Sequence, residues 1–174
     1  MPRSPASVSK QLSIAKLPDA SFVYTNHLYC NPSEFSQDTK YLILNNSHCF
    51  SLAFHNCIPK GELATSIFHR EWANLFEGTF VEASTFLPSA DEILSSITLK
   101  VDFALRNIRL DSRMELDYDE FCAFIHAQFR DGVFTEGQKI PVLYKSSKLL
   151  LDVCSVEASE RGIRWARKSG ELEK

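Results

Sequence analysis

Glycine is scarce in this chain, with six in 174 residues, and no G-x-G-x-x-G run occurs. A Rossmann dinucleotide site, which needs those glycines for its turn and for close approach to the pyrophosphate, is therefore excluded. An excess of basic charge is also missing, since 19 Lys and Arg stand against 22 Asp and Glu, for a net charge of −3. A broad nucleic-acid-binding face is not expected, although a local basic cluster remains compatible with that balance. No apolar run approaches the roughly 20 residues that cross a bilayer. The opening MPRSPASVSKQLS carries Arg3 and Lys10 with no apolar stretch behind them, so no secretory signal is read there. Cysteines number five (Cys30, Cys49, Cys57, Cys122, Cys154), an odd count without any CxxC. The expectation is reduced, mostly buried thiols in a cytosolic protein. In that compartment the sequon Asn45-Asn46-Ser47 goes unused.

Several catalytic and ligand-binding patterns fail on detail. Gly132-Val133-Phe134-Thr135-Glu136-Gly137-Gln138-Lys139 has the outline of a phosphate loop. Gln138 sits where lysine is needed, no Ser or Thr follows Lys139, and the stretch comes after a helix pattern rather than before one. Asp117, Asp119 and Glu120 lack the glycine and distal glutamate of a calcium loop. His48, Cys49, His55 and Cys57 form one His/Cys cluster, but without knuckle spacing. They read as buried thiols and surface histidines, with Cys49, His55 and Cys57 sharing one parity on a strand. No G-x-S-x-G elbow is present, and Glu62, Glu71, Glu77 and Glu82 show no pairing that suggests acid–base work.

What is present is a globular balance, 44% hydrophobic and 24% charged. Residues 1–16, rich in Ser, Pro and Lys, read as a loose arm. The β-branched and aromatic residues between Ser21 and Cys30 predict a strand. Tyr41 to Leu44 and Cys49 to Phe54 predict a hairpin, and Thr79 to Phe86 a further strand. Leu87-Pro88-Ser89-Ala90-Asp91 is the best internal boundary. Beyond it Ile97, Leu99, Val101 and Phe103 alternate with polar residues as a half-buried strand. Tyr118 to Arg130 predicts a helix, with Phe121, Phe124, Ile125 and Phe129 on its core face. Asp117 and Glu120 are placed for a capping box, and Gly132 for a left-handed C-terminal residue. A second hairpin, Lys139 to Tyr144 and Leu149 to Val156, closes the pattern. No internal repeat is evident. Each half has only about 70 residues, too few for a robust core alone, so the halves are expected to support each other and to leave a binding cleft between them.

Two stretches carry a family signal. One is Ser66-Ile67-Phe68-His69-Arg70-Glu71-Trp72-Ala73 with Gly78, Val81 and Thr85-Phe86; the other runs from Ile97-Thr98-Leu99-Lys100-Val101-Asp102-Phe103 through the Phe121–Phe129 helix to Val133–Gln138 and the closing hairpin. Lys16-Leu17-Pro18 and Val23-Tyr24-Thr25-Asn26 add to it. In order and spacing these resemble the N-terminal domain of N-ethylmaleimide-sensitive factor, an AAA ATPase of membrane fusion. The resemblance implies a mainly β, α+β fold: a double-psi β-barrel followed by a small α/β roll. It divides the chain into an arm (1–15), the barrel (16–86), a linker (87–93), the roll (94–158) and a charged tail (159–174) leading towards ATPase modules.

The same resemblance implies a non-catalytic module that holds no cofactor itself; ATP and Mg belong to the ATPase modules of the full-length family, which also make the homohexamer. The implied partner is soluble NSF attachment protein bound to SNARE complexes, with no nucleic acid and no direct membrane insertion. The implied location is cytoplasmic, at vesicle and organelle membranes through adaptors. Carried over residue by residue, the adaptor-contacting cations fall on Lys16, Arg70 and Arg106. The next family position, commonly lysine, is Asn107 here, and Arg109 is expected to supply the missing charge. The alternatives are an N domain like that of valosin-containing protein, which binds ubiquitin adaptors, and a small double-psi-barrel enzyme, which would need a polar catalytic cluster in a closed pocket that the sequence does not offer; an apolar pocket converging on His55 or His69 with perturbed titration would favour it.

Overall fold

The computed structural model describes residues 7–88, 94–104 and 115–158. Six strands close into a barrel: β1 (Ser9–Lys16), β2 (His27–Cys30), β3 (Tyr41–Leu44), β4 (His48–Phe54), β5 (Glu62–Thr65) and β6 (Phe80–Phe86). Around the ring the order is β1-β5-β2-β4-β3-β6. β1 with β5 and β2 with β4 are parallel, and the other four neighbours are antiparallel. Exchanging β1 with β4, β2 with β5 and β3 with β6 leaves every pairing and its direction unchanged. That pseudo-twofold interlocking of two three-strand halves is the topology of a double-psi β-barrel, and it exists without a repeat visible in the sequence.

The barrel interior follows strand alternation. Leu12 and Ile14 of β1, Leu42 and Leu44 of β3, and Val81 and Ala83 of β6 point inward to meet Leu28, Phe50 and Leu63 in one core. The alternation explains why residues 9–16, expected as part of the arm, form a full barrel strand. Ser9, Gln11 and Ser13 face outward, and only two apolar residues are needed inside. The strand expected over Ser21–Cys30 is shorter. Residues Ala20–Thr25 instead form a 3-10 helix whose start is capped by Asp19, its Oδ1 accepting from the Ser21 N–H at 2.8 Å. Phe22 then stacks on Tyr29 outside the barrel wall, with centroids 4.7 Å apart.

A seven-residue helix, α1 (Ile67–Ala73), follows β5; composition alone does not reveal it. Ser66 caps it, its hydroxyl accepting from the His69 N–H at 3.1 Å while His69 Nδ1 accepts from the Ser66 N–H at 3.4 Å. This is a capping box with histidine in the place of the usual Glu or Gln. Asn74, left-handed at φ 51°, ends the helix.

The second lobe is a three-stranded antiparallel sheet of β7 (Leu94–Phe103), β9 (Ser147–Ala158) and β8 (Lys139–Tyr144), in that order. Helix α2 (Tyr118–Gln128) covers one face and buries Phe121, with Phe124 and Ile125 partly buried, against Ile140, Val142, Leu149 and Leu151. Asp117 caps α2, its side chain accepting from the Glu120 N–H at 2.9 Å. The Glu120 side chain does not complete the box; it pairs with Lys145 on the β8–β9 turn. Gly132 is not left-handed. A Cβ there would meet the Phe129 carbonyl oxygen at 3.0 Å, so glycine is favoured by close approach. The expectation of mostly buried thiols also needs correcting. Cys30 is buried, whereas Cys49 and Cys122 are intermediate and Cys57 and Cys154 exposed. His55 and Cys57 lie beyond the end of β4 in a turn closed by the Ile58 N–H to the His55 carbonyl, so the strand parity that grouped them with Cys49 does not apply.

Candidate functional site

The two sheets meet through polar contacts that leave a crevice of about 230 Å³. The barrel side contributes Thr25, Asn26, His27 and Ser51, and the roll side the end of α2 and the turn from Ala127 to Gly132. Around it, Tyr41 donates its hydroxyl proton to the Asp131 carbonyl at 3.0 Å and Gln128 Nε2 donates to the Tyr24 carbonyl at 3.3 Å. The Val133 N–H donates to Ser51 Oγ at 3.3 Å, and Lys40 pairs with Asp131 at 3.7 Å.

Two of the expected cations sit near the paired ends of β1 and β5, but only Arg70 reaches Thr65 with its side chain. β1 and β5 are parallel and in register at Lys16 and Thr65, the last residues of their strands. Arg70, one turn into α1, folds back so that its Nη1 donates to the Thr65 carbonyl at 2.6 Å and lies 3.3 Å from the Thr65 hydroxyl. The helix start fixed by Ser66 is what brings Arg70 into reach. Arg70 is half-buried, and the neighbouring Trp72 ring packs edge-on to His48 and Phe50. Lys16 is exposed and lies 3.2 Å from Glu77 Oε2, a solvent-screened pair worth about 0.2–1 kcal/mol that a better acidic partner can displace. Arg106, Asn107 and Arg109 lie outside the described residues.

His69 shows the strongly perturbed titration that an enzyme reading would look for. Burial pushes its imidazole down to about 3, and the charges of His27 and Arg70 act in the same direction. Yet the side chain is buried at 3% exposure and both ring nitrogens are engaged, Nδ1 with the Ser66 N–H and Nε2 with Asn26 Oδ1 at 3.0 Å. A neutral imidazole so enclosed is a structural donor and acceptor. His55 is exposed, with Nδ1 2.6 Å from Cys57 Sγ on an open turn rather than in a pocket. Among the described residues no group of three or more His, Cys, Asp or Glu is placed to hold a metal ion, and no helix is long and apolar enough to cross a membrane.

Barrel, roll and intervening crevice define the class: a double-psi barrel with an appended α/β roll. Comparison with known proteins supplies the relatives. The chain is 30% identical over 146 residues to the vesicular-fusion protein sec18 of Schizosaccharomyces pombe, covering 82% of this chain and 18% of that protein. It is 26% identical to a vesicle-fusing ATPase of Arabidopsis thaliana, over 82% of this chain and 20% of the relative. A vesicle-fusing ATPase of Caenorhabditis elegans is 27% identical, over 97% of this chain and 22% of that protein. The chain is thus similar over most of its length to a part of vesicle-fusing ATPases, as an N-domain-like module would be, and it spans about a fifth of the length of these relatives. No family model matches it. Two rationally designed proteins, mkDPBB_sym1 and mkDPBB_sym_86, align at TM-scores of 0.39 and 0.38 with 14% identity, covering 45% and 44% of this chain and 100% and 91% of theirs. The fold assignment rests on the strand order.

Proposed function

We propose that this chain is the non-catalytic adaptor-binding domain of a SNARE-disassembling AAA ATPase. It docks soluble NSF attachment protein on SNARE complexes in the cytoplasm and so sits at vesicle membranes without entering them. The supporting observation is the asymmetry of the match: 82–97% of this chain corresponds to only 18–22% of vesicle-fusing ATPases. ATP, Mg and the hexamer belong in this reading to the remaining four-fifths. Lys16 at the end of β1 and Arg70 in α1 form the barrel's part of the docking surface, and Arg106 and Arg109 complete it. Each exposed ion pair contributes little, so several are needed, and a sixfold assembly multiplies them by avidity. Weak, salt-screened contacts also suit an adaptor that is released after every cycle.

The test is capture of soluble NSF attachment protein bound to a SNARE complex by the 174-residue chain. Charge reversal of Arg70 and Arg106 together should abolish capture while the thermal melt stays cooperative. Because Arg70 also holds the end of β5 and Lys16 is exposed, Lys16→Glu with Arg109→Glu is run beside it as a second pair. Full capture by both folded double variants would overturn the site, and capture of ubiquitin adaptors in place of the SNARE adaptor would overturn the function.

A further inference from the structure

Among the described residues, one connection between the lobes is made entirely by buried side chains. Asn26 follows the 3-10 helix in the left-handed conformation, at φ 56°, and is 4% exposed. Its Oδ1 is 3.0 Å from His69 Nε2 and accepts from Gln138 Nε2 at 3.3 Å. His69 and Gln138 are themselves 3% and 2% exposed. His69 reaches in from α1 and Asn26 from the start of β2, both in the barrel lobe; Gln138 immediately precedes β8 in the roll. The proton arrangement is determined. Nδ1 of His69 accepts from the Ser66 N–H, so a neutral ring carries its proton on Nε2 and donates it to Asn26.

Both ends of the link are anchored. On the barrel side the Ser66–His69 capping box fixes the imidazole. On the roll side Gln138 Oε1 accepts from the Thr135 N–H at 3.3 Å, while the Gln138 carbonyl accepts from the Val153 N–H at 3.0 Å. The Tyr41–Asp131, Gln128–Tyr24 and Lys40–Asp131 contacts lie at exposed positions, where water replaces a lost partner. Water cannot do so for three polar side chains buried together.

We propose that His69, Asn26 and Gln138 form an interlobe clasp that fixes how the roll sits on the barrel. The clasp thereby sets the width of the crevice and the placement of α1, which carries Arg70, relative to the roll. This goes beyond the docking reading and does not depend on it.

Two variants isolate the clasp in the full chain. Asn26→Gly deletes the carboxamide while suiting the left-handed backbone, and Gln138→Met keeps length but cannot hydrogen-bond. Exposed native thiols, Cys57 on the barrel and Cys154 on β9, accept spin labels once Cys49 and Cys122 are changed to Ser. Electron–electron distance measurements should give one narrow distribution in the parent and a clearly broadened one in either clasp variant. Tyr41→Phe, which removes an exposed interlobe bond, should leave it narrow. In urea unfolding each clasp variant should lower the folding equilibrium constant about tenfold, and the double variant by no more than about twice the larger single effect, because both remove one unit. An unbroadened distribution in Gln138→Met, or single effects that multiply independently, would overturn the proposal. If Asn26→Gly does not fold, the Gln138→Met distribution alone decides.

Discussion

Acid should unfold this protein through its histidines before its carboxylates. In the folded chain burial holds His69 near 3, against an ordinary value of 6.5. The folded value lies below the unfolded one, so the unfolded chain takes up the proton first as pH falls. The stabilisation is whole above about pH 6.5 and is lost progressively from there towards about 3. At about pH 4.5, roughly two decades below the unfolded value, the loss from His69 alone is about 3 kcal/mol, or about 100-fold in the folding equilibrium. A domain of this size has about 5–15 kcal/mol in total. His27 and His48 are also lowered by burial and add to the slope with the same sign. Glu34, held below the usual carboxylate range chiefly by the Gly61 N–H, joins only at still lower pH. The assay is urea unfolding at intervals between about pH 7.5 and pH 4.5, paired with an NMR titration of each imidazole ring. A His69 ring that titrates near 6.5 in the folded protein, or stability that stays flat across the interval, would refute the reasoning.

Other outcomes follow from packing and chemistry. Phe50→Ala removes a ring that is 2% exposed and meets His69 and Trp72 edge-on at 5.3 Å, and should cost about 3–5 kcal/mol by denaturant unfolding. Asp117→Ala should cost about 1 kcal/mol and speed hydrogen exchange in the first turn of α2. Gly137 has φ 78° with open space around it, so Gly137→Ala should destabilise by about 1–2 kcal/mol through backbone strain alone, read as a lower melting temperature. Iodoacetamide should label Cys57 and Cys154 within minutes and leave Cys30 untouched in the folded protein. Burial, reinforced by Glu34, pushes the Cys30 thiol up to about 12.

The legible parts of the fold were those with enough length to show a period. The alternation from Ile97 to Phe103 is a strand within β7, the apolar face from Phe121 to Phe129 is α2 and its cap, and both hairpins stand within a residue or two of their expected limits. Short elements outside a hairpin were not legible. β5 has four residues and α1 seven, too few for periodicity to speak, although Ser66 and Asn74 bracket α1 with usable cap chemistry. At Val23-Tyr24-Thr25 a local cap and the Phe22–Tyr29 stack outweigh β propensity. In the site, Arg70 and Lys16 could be named from motifs, but the placing of Lys16 beside Thr65, which Arg70 grips, depends on a parallel register that no local pattern encodes. In the sequence Gln138 stands out as the residue that spoils a phosphate loop and as the end of a family stretch, neither of which points to Asn26. Its partner Asn26 is far away in sequence, so the contact between them could not be read.

The barrel's interlocking has a consequence for synthesis. Every one of its six hydrogen-bonded neighbours joins a strand from residues 9–44 to one from residues 48–86. As the chain leaves the ribosome, β3 finds β4 at once across a tight turn, but β1 has no partner until β5 emerges and keeps one open edge until β6 follows. An edge kept waiting that long invites association with other nascent chains. The outward Ser9, Gln11 and Ser13 and the terminal Lys16 keep that waiting strand polar on one side, which guards it during the delay.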